Sequence, residues 1–290
     1  MPESSNRPHG EPDASEVADA IAMRARPGFA AAVRDYALDG LAFNDRFPAQ
    51  SRASADLSAQ TLGMLAIHLD ATCGLHHRGL RAISGRGGLV SAGRATALLW
   101  RMQALGLIAP ASKFERGKER IYKPLPAMLE AFRSRLRVDF EALARIDEPT
   151  RRVVARYNDE PDLFVRLNSL IIERLLGDLV HGNRVQMQPL GGVNYLAMGH
   201  LITSAVAAEA FAAGRERPEG PVTLSLSALA RRFDVSRAHV RRVIRILETI
   251  GLQSDPADHR RFVLTPAFRD GFELFHAYTF TLLRAAVAQL

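Results

Sequence analysis

The sequence predicts a mainly α-helical protein whose elements occur twice along the chain. Residues 90–107 (VSAGRATALLWRMQALGL) and 235–252 (VSRAHVRRVIRILETIGL) align without a gap. Their apolar positions recur at the spacing of one helix face, which indicates two helices that bury the same side. A short segment with the pattern of a β-hairpin follows each helix, and a long apolar helix pattern follows each hairpin. Such a recurring order indicates an internal duplication.

The ends of the two aligned helices are marked in the same way. Ser91 and Ser236 stand at the N-cap, where a serine oxygen can accept a hydrogen bond from the first turn. Gly106 and Gly251 stand where each helix stops, because glycine adopts the left-handed conformation without steric cost. The apolar pairs between these ends are Ala95 and Val240, Leu98 and Val243, Leu99 and Ile244, Met102 and Leu247, and Leu105 and Ile250.

The correspondence continues on both sides of these helices. Downstream, PAMLEAFRSRLRVDF from Pro126 aligns with PAFRDGFELFHAYTF from Pro266. The upstream landmarks are Pro27 and Pro161, which each open a predicted helix, and Met64 and Met198 in the apolar helices that follow. The insertions fall between these blocks, where loops absorb them.

The chain is therefore divided into two repeats, residues 27–146 and 160–290. Residues 147–159 join them as a linker that is helical in part. Residues 1–26 are predicted to form a disordered tail, because their beginning is polar and rich in proline. The same segment lacks the apolar core of a signal peptide.

Composition and charge limit the class of protein. The 290 residues are 47% hydrophobic and 24% charged, with a formal net charge of +7. This excess of positive charge favours a polyanionic partner, nucleic acid before membrane. A single cysteine, Cys73, excludes an internal disulfide, and no run approaches the length of a membrane span. We expect a cytoplasmic protein with no membrane partner.

Each repeat predicts the same order of elements: two helices, a short helix, a tight turn, the serine-capped helix, a β-hairpin and a long C-terminal helix. A helix, turn, helix and hairpin in this order form a winged helix-turn-helix. In the second copy Leu226, Leu229 and Phe233 supply the apolar contacts, and Asp234 and Val235 form the turn. The predicted fold is mainly α, with tandem winged helix-turn-helix domains, two short β-hairpin wings and long helices in a shared core.

Residues 254–268, SDPADHRRFVLTPAF, resemble the wing of the MarR family of transcription regulators. The residues that carry the resemblance are Asp255, Pro256, Asp258, Arg260, Leu264, Thr265 and Pro266. The resemblance covers most of residues 160–290, whereas the hairpin SKFERGKERIYKPLP of the first repeat lacks the Asp-Pro-x-Asp signature. In that family two subunits each present one recognition helix and one wing. The resemblance therefore implies a single-chain pseudo-dimer whose long helices form the pseudo-dimer core.

The resemblance also implies which residues contact DNA. Those toward the major groove are Ser236, Arg237, His239, Arg241 and Arg242, and Arg260 enters the adjacent minor groove. The periodicity agrees, because Arg241, Arg242 and Arg245 lie opposite the apolar stripe. Arg260 and Arg261 on a hairpin suit a narrow groove, whose negative potential attracts arginine. A pocket for a small-molecule effector is a further implication of the family, and the sequence does not identify its ligand.

The first repeat differs in the outward residues of its aligned helix. These are Gly93, Thr96, Ala97 and Trp100, with only Arg94 and Arg101 basic. In one interpretation this helix reads DNA through small contacts of Ala97 or Thr96 with a thymine methyl group, and Ser91 and Arg94 also contact the DNA. A basic wing then holds the backbone with Lys113, Arg116, Lys118, Arg120 and Lys123. In the other, Trp100 packs against protein and the repeat is a scaffold. We favour DNA contact, because five basic residues on one hairpin exceed what solubility requires.

Other candidate chemistry is sparse. The segment HLDATCGLHH places His68, Asp70, Cys73, His76 and His77 close together in sequence. Their spacing matches no standard structural zinc pattern, which would need four converging ligands. No catalytic signature is recognisable, so we expect no enzyme activity, no cofactor and no metal.

The expected function is sequence-specific binding of double-stranded DNA by a transcription regulator. The chain would act as a monomeric pseudo-dimer or a homodimer on an asymmetric or pseudo-palindromic site. One alternative is a plasmid-type replication initiator with two winged helices, which binds iterated origin repeats instead of a promoter. The other is a tandem winged-helix scaffold for protein interaction, whose DNA affinity would be weak and insensitive to salt.

Overall fold

A computed structural model describes residues 14–86, 90–111, 119–180 and 190–290 of the chain. The protein is mainly helical, with two small antiparallel sheets of three strands each. Within the described residues, no helix combines the length and the apolar character that crossing a bilayer requires.

The first half of the chain contains seven helices and three strands in its described residues. They are α1 (Ala14–Arg24), α2 (Phe29–Arg46), α3 (Pro48–Ala53), α4 (Leu57–Thr72), β1 (Leu75–His76), α5 (His77–Arg86), α6 (Ala92–Ala104), β2 (Ile108–Pro110), β3 (Ile121–Pro124) and α7 (Pro126–Ala144).

The second half repeats this order in its described residues. Its elements are α8 (Glu148–Arg156), α9 (Pro161–Val180), α10 (Gly191–Asn194), α11 (Gly199–Ala212), β4 (Gly220–Thr223), α12 (Leu226–Arg232), α13 (Arg237–Glu248), β5 (Leu252–Ser254), β6 (Arg261–Leu264) and α14 (Pro266–Val287). Every helix and strand of one half therefore has a counterpart at the same place in the other.

Each predicted hairpin belongs to a three-stranded sheet. The strand orders are β1-β3-β2 and β4-β6-β5, so the last strand lies in the centre of both sheets. Tyr122 of β3 and Phe262 of β6 are buried at matching positions and pair with Leu75 and Val222. Sequence reasoning missed β1 and β4, because strands this short show no clear alternation of apolar and polar residues.

The two halves are interlocked through their helices. The long helix α2 packs against α11 of the second half, and α9 packs in the same way against α4 of the first. Helices α1 and α8 also cross over, since α1 lies on α14 and α8 lies on α7. One continuous hydrophobic cluster extends through both halves. The contacts are therefore reciprocal, as in a dimer whose subunits exchange helices.

Two segments that the sequence assigns to a tail and a linker belong to this core. Residues 14–24 form α1, with Ala20 and Met23 buried, so the predicted disorder is wrong for this part of residues 1–26. The Nε atom of Arg24 lies 2.8 Å from the buried carboxylate of Glu273 on α14. The helical part of the linker is confirmed as α8, which buries Val153. Residues 1–13 lie outside the described residues.

Two predicted landmarks occupy different positions from those expected. Helix α2 starts at Phe29, not at Pro27, because Gly28 adopts a left-handed conformation with φ 80° before the first turn. Met198 does not lie within the apolar helix but caps α11 with φ 56°. The predicted start of α9 at Pro161 is confirmed.

Candidate nucleic-acid interface

Helix α13 begins and ends as the sequence predicts. Asp234 adopts φ 51° in the turn that follows α12, a conformation that aspartate tolerates better than most residues. The Oγ atom of Ser236 then accepts a hydrogen bond of 3.1 Å from the backbone N–H of His239. Gly251, with φ 110°, ends the segment and lets the chain turn into β5.

The two faces of α13 have opposite character. Val240, Val243, Ile244 and Leu247 are buried, as the periodicity predicts. The four arginines of the helix are exposed: Arg237, Arg241, Arg242 and Arg245. None of them forms an ion pair with another residue in the part of the chain that the structure describes. Their guanidinium groups are therefore available to an external anion.

Two aspartates shape the loop between β5 and β6. Oδ1 of Asp255 accepts from the N–H of Ala257 at 2.8 Å, and Oδ1 of Asp258 accepts from that of Arg260 at 2.9 Å. Such turns from a side chain to the nearby backbone are typical of aspartate. Arg260 is exposed beside them, and Arg261 is exposed with its Nε 3.4 Å from Asp258.

His239 lies on the protein side of α13. Its Nε2 donates a hydrogen bond of 2.7 Å to the carbonyl of Ala197, and the residue is half-buried. In the structure the protein engages this ring, whereas the resemblance implies that it points to the major groove together with the arginines. The physical reason is that the loop between α10 and α11 offers the ring an acceptor.

The corresponding residue in the first half is Arg94, and it anchors α6 in a similar way. Its Nη2 lies 2.5 Å from Oδ2 of Asp56, the residue that caps α4. The two anchoring loops touch each other, because the N–H of Met198 donates to the carbonyl of Ala55 at 2.5 Å. The first turns of α6 and α13 are therefore held at one junction between the halves.

The outward face of α6 is only weakly basic. Ser91 caps the helix through a hydrogen bond of 3.3 Å from the N–H of Arg94. The hydroxyl of Thr96 donates to the carbonyl of Ala92 and accepts from Nε2 of His77 at 2.7 Å. Both Arg94 and Thr96 therefore already have partners within the protein.

Trp100 lies on this face with 64% of its surface exposed. Most of the indole is therefore not covered by the described part of this chain, and the scaffold interpretation of the first repeat stays a prediction. A tryptophan that is left this open is unusual, because burial of its ring in an apolar site is strongly favourable.

The basic hairpin of the first half is described only in part. Lys113, Arg116 and Lys118 lie outside the described residues. Arg120 is exposed. Lys123 on β3 is exposed as well, and its Nζ lies 3.3 Å from Oδ1 of Asp70.

The residues of HLDATCGLHH have separate partners. His68 lies 4.0 Å from Glu173, and Nδ1 of His76 accepts from the N–H of Gly79 at 2.9 Å. Cys73 is exposed. Among the described residues, no three histidine, cysteine, aspartate or glutamate side chains come together as a metal site would require.

Sequence reasoning identified the exposed arginines and missed the junction that positions them. The available signal was the equivalence of Arg94 and His239, which both stand three residues after a capping serine. Comparisons with family models, with curated proteins and with solved structures found no match to the chain.

Proposed function

We propose that this protein binds double-stranded DNA as a sequence-specific transcription regulator, with two winged helix-turn-helix units in one chain. Helix α13 enters the major groove, and the hairpin β5–β6 lies over the adjacent minor groove. The single observation that carries the proposal is the exposed arginine face of α13, which has no ion-pair partner among the described residues.

An exposed arginine row on a helix suits DNA for two reasons. A helix fits the major groove, where arginine can pair with guanine through two hydrogen bonds. Arginines beyond the first turns reach phosphates, which set the register of the helix and add affinity. We expect Arg237 and Arg241 to contact base edges, and Arg242 and Arg245 to contact phosphates of the DNA backbone.

The hairpin β5–β6 supports the same proposal, and its loop also supports the resemblance to MarR-type wings. The side chains of Asp255 and Asp258 each accept a hydrogen bond from the backbone N–H two residues further along the chain. These two bonds give a structural reason for the Asp-Pro-x-Asp pattern. They also hold the loop in a shape that presents Arg260. An arginine presented on a narrow loop is favoured in a narrow minor groove.

The interlocked core supports a pseudo-dimer. In dimeric regulators, two recognition helices are held at a fixed distance by the dimer interface. Here the first turns of α6 and α13 are anchored at one junction, through Arg94 and His239. One polypeptide therefore holds the first turns of two such helices at a fixed separation.

A second candidate function concerns the first half alone. The exposed Trp100 and the small residues Gly93 and Ala97 on α6 favour contact with protein, because aromatic residues are enriched in protein interfaces. In this version the first half is a docking scaffold and only the second half contacts DNA.

The test is DNA binding by the double variant Arg241→Ala plus Arg242→Ala on a site selected from random duplexes. We expect the affinity to fall roughly a hundredfold, since each good arginine contact contributes about 1–3 kcal/mol. The salt dependence of the affinity should also become shallower, because fewer counterions are released.

The matched control is Arg151→Ala plus Arg152→Ala, which removes the same charge from exposed positions of α8. This control should bind with nearly native affinity. Equal losses in both variants would show that only net charge matters, and native affinity in the α13 variant would refute the proposal. Circular dichroism checks that each variant keeps its helices.

A further inference from the structure

A pocket lined by residues of both halves lies where the two halves meet. Its volume is about 140 Å³. Helices α2, α4 and α7 of the first half and α9, α11 and α14 of the second contribute to its walls. An engineered cavity of about 150 Å³ with apolar walls is large enough to take up benzene. The cavity therefore has room for one aromatic ring.

The walls of the cavity are mostly apolar and include several aromatic rings. Phe132 on α7 and Phe272, Phe275 and Tyr278 on α14 line it. Rings placed around a planar guest favour stacked and edge-to-face contacts, which add to the gain from burial. The body of a ligand that fits here is therefore flat and apolar.

One ion pair lies in the wall of the cavity. Nε of Arg135 lies 2.9 Å from Oδ1 of Asp139, one helical turn further along α7. The guanidinium carbon of Arg135 lies 5.0 Å from the centre of the Tyr36 ring. Burial raises the pKa of Asp139, and Arg135 opposes that rise. As an ion pair, Arg135 and Asp139 compensate each other, so the site has no spare positive charge.

The two histidines in the walls are uncharged at neutral pH. Burial lowers the pKa of His200 to about 3, and Arg135 adds to this effect by repelling a second cation. Burial likewise lowers the pKa of His276 to about 4. Nδ1 of His276 donates to the carbonyl of Phe272 at 2.7 Å. The histidines therefore supply hydrogen-bonding groups to the cavity and no charge.

Asn194 adds a hydrogen-bond donor with no partner. The residue lines the cavity, is 2% exposed, and its Nδ2 bonds to none of the described residues. Asn168, also in the wall, donates instead to the carbonyl of Met64 at 2.9 Å. A buried donor without an acceptor costs about 1–3 kcal/mol. An acceptor on a bound molecule would satisfy this donor, and the soft χ2 torsion lets the amide of Asn194 adjust to it.

We infer that this cavity binds an uncharged aromatic molecule of single-ring size that carries a hydrogen-bond acceptor, such as an aromatic amide or a phenol. An aromatic carboxylate of the same shape is disfavoured, because its charge would enter an apolar space in which Arg135 is already paired with Asp139. Binding here is separate from binding to DNA and is measured without DNA.

The experiment compares benzamide with benzoate, which share one shape and differ in charge. Each is titrated into the full-length protein at neutral pH and followed by ligand-observed NMR. We expect benzamide to bind at least ten times more tightly than benzoate. Equal affinities, a preference for benzoate, or no binding of benzamide would overturn the inference.

A variant of the ion pair locates the binding site. Asp139→Asn keeps the shape of the side chain and leaves Arg135 unpaired, so the preference should shift toward benzoate by tenfold or more. In the second half Thr279 occupies the equivalent position, and it also lines the cavity. Thr279→Val is therefore the matched control and should keep the preference for benzamide. An unchanged preference in a folded Asp139→Asn protein would place the binding elsewhere and refute the assignment.

If Asp139→Asn does not fold, Ser204→Leu tests the same site by filling the cavity from α11. Benzamide binding should then fall at least tenfold, and native affinity would refute the site. The comparison of benzamide and benzoate on the unmodified protein needs neither variant.

Discussion

Helices α6 and α13 occupy the same place in the two halves and differ almost entirely on their outer faces. Both begin at a capping serine and bury the same apolar stripe. Outside, α13 carries four exposed arginines, whereas α6 carries Trp100 among small residues. The inner positions are constrained by packing, since a core side chain cannot change volume without cost. The solvent face has no such constraint, so the two copies differ there.

The largest expected contrast concerns the glycines that end the two helices. A Cβ on Gly251 would lie 2.4 Å from Oγ1 of Thr265 and 2.5 Å from the backbone nitrogen of Phe268. A Cβ on Gly106 would meet nothing within 4 Å, although its φ is also positive at 67°. We expect Gly251→Ala to lower the free energy of unfolding by about 3 kcal/mol, from the left-handed backbone and the overlap together.

Gly106→Ala should cost only about 1 kcal/mol, because the left-handed conformation is its sole penalty. Urea unfolding of both variants measures the difference. Equal losses would mean that the two helix ends are packed alike, contrary to the structure.

The next contrast concerns pH. The imidazole of His276 has a pKa of about 4 in the folded chain against an ordinary value of 6.5. The unfolded chain therefore takes up this proton first, and stability falls as the pH drops from about 6.5 to about 4. Between about pH 7 and pH 5 this one group should cost about 2 kcal/mol of unfolding free energy.

The first half has Leu136 at the equivalent position of α7, so His276→Leu imports the residue of the other copy. Between about pH 7 and pH 5 the unfolding free energy of the variant should fall by about 2 kcal/mol less than that of the native protein. Parallel curves of unfolding free energy against pH would show that His276 is not buried in neutral form.

The two anchors of the junction should differ in their response to salt. Arg94→Ala removes a partly exposed ion pair, and His239→Ala removes a hydrogen bond to a carbonyl, each at a cost of about 1 kcal/mol. The ion pair is screened when salt rises from about 0.1 M to about 1 M. The penalty of Arg94→Ala should therefore shrink over this range, and that of His239→Ala should not. Urea titrations at both salt concentrations decide this, and identical responses would contradict it.

The smallest effect on stability is expected for Trp100→Ala. The side chain is 64% exposed, so the unfolding free energy should change by less than about 0.5 kcal/mol. Its effect on binding separates the two functions proposed for the first half. A loss of DNA affinity assigns α6 to DNA, whereas native affinity favours a protein partner for this face.

Sequence reasoning predicted the local features of both helices and missed several that depend on the whole fold. Ser91, Ser236, Gly106 and Gly251 were placed correctly, because capping and the end of a helix depend on a few neighbouring residues. The helix over residues 14–24 was missed, because its small apolar face becomes buried only when α14 lies beside it.

The candidate DNA interface shows the same division. Periodicity alone places Arg241 and Arg245 opposite the apolar stripe, and the structure leaves both exposed. The resemblance also places His239 toward the groove, yet its ring bonds to Ala197 in a loop far away in sequence. No local pattern contains that acceptor.

The order of amino acids by itself determined the duplicated set of helices, their caps and the side of each that is buried, because these follow from contacts within a few residues. Only the tertiary structure decided that the halves exchange helices, that α6 and α13 meet at one junction, and that a cavity with a single ion pair lies between the halves. Those features depend on packing between residues more than a hundred positions apart, such as Asn168 and Met64. Spacing along the chain does not record such contacts.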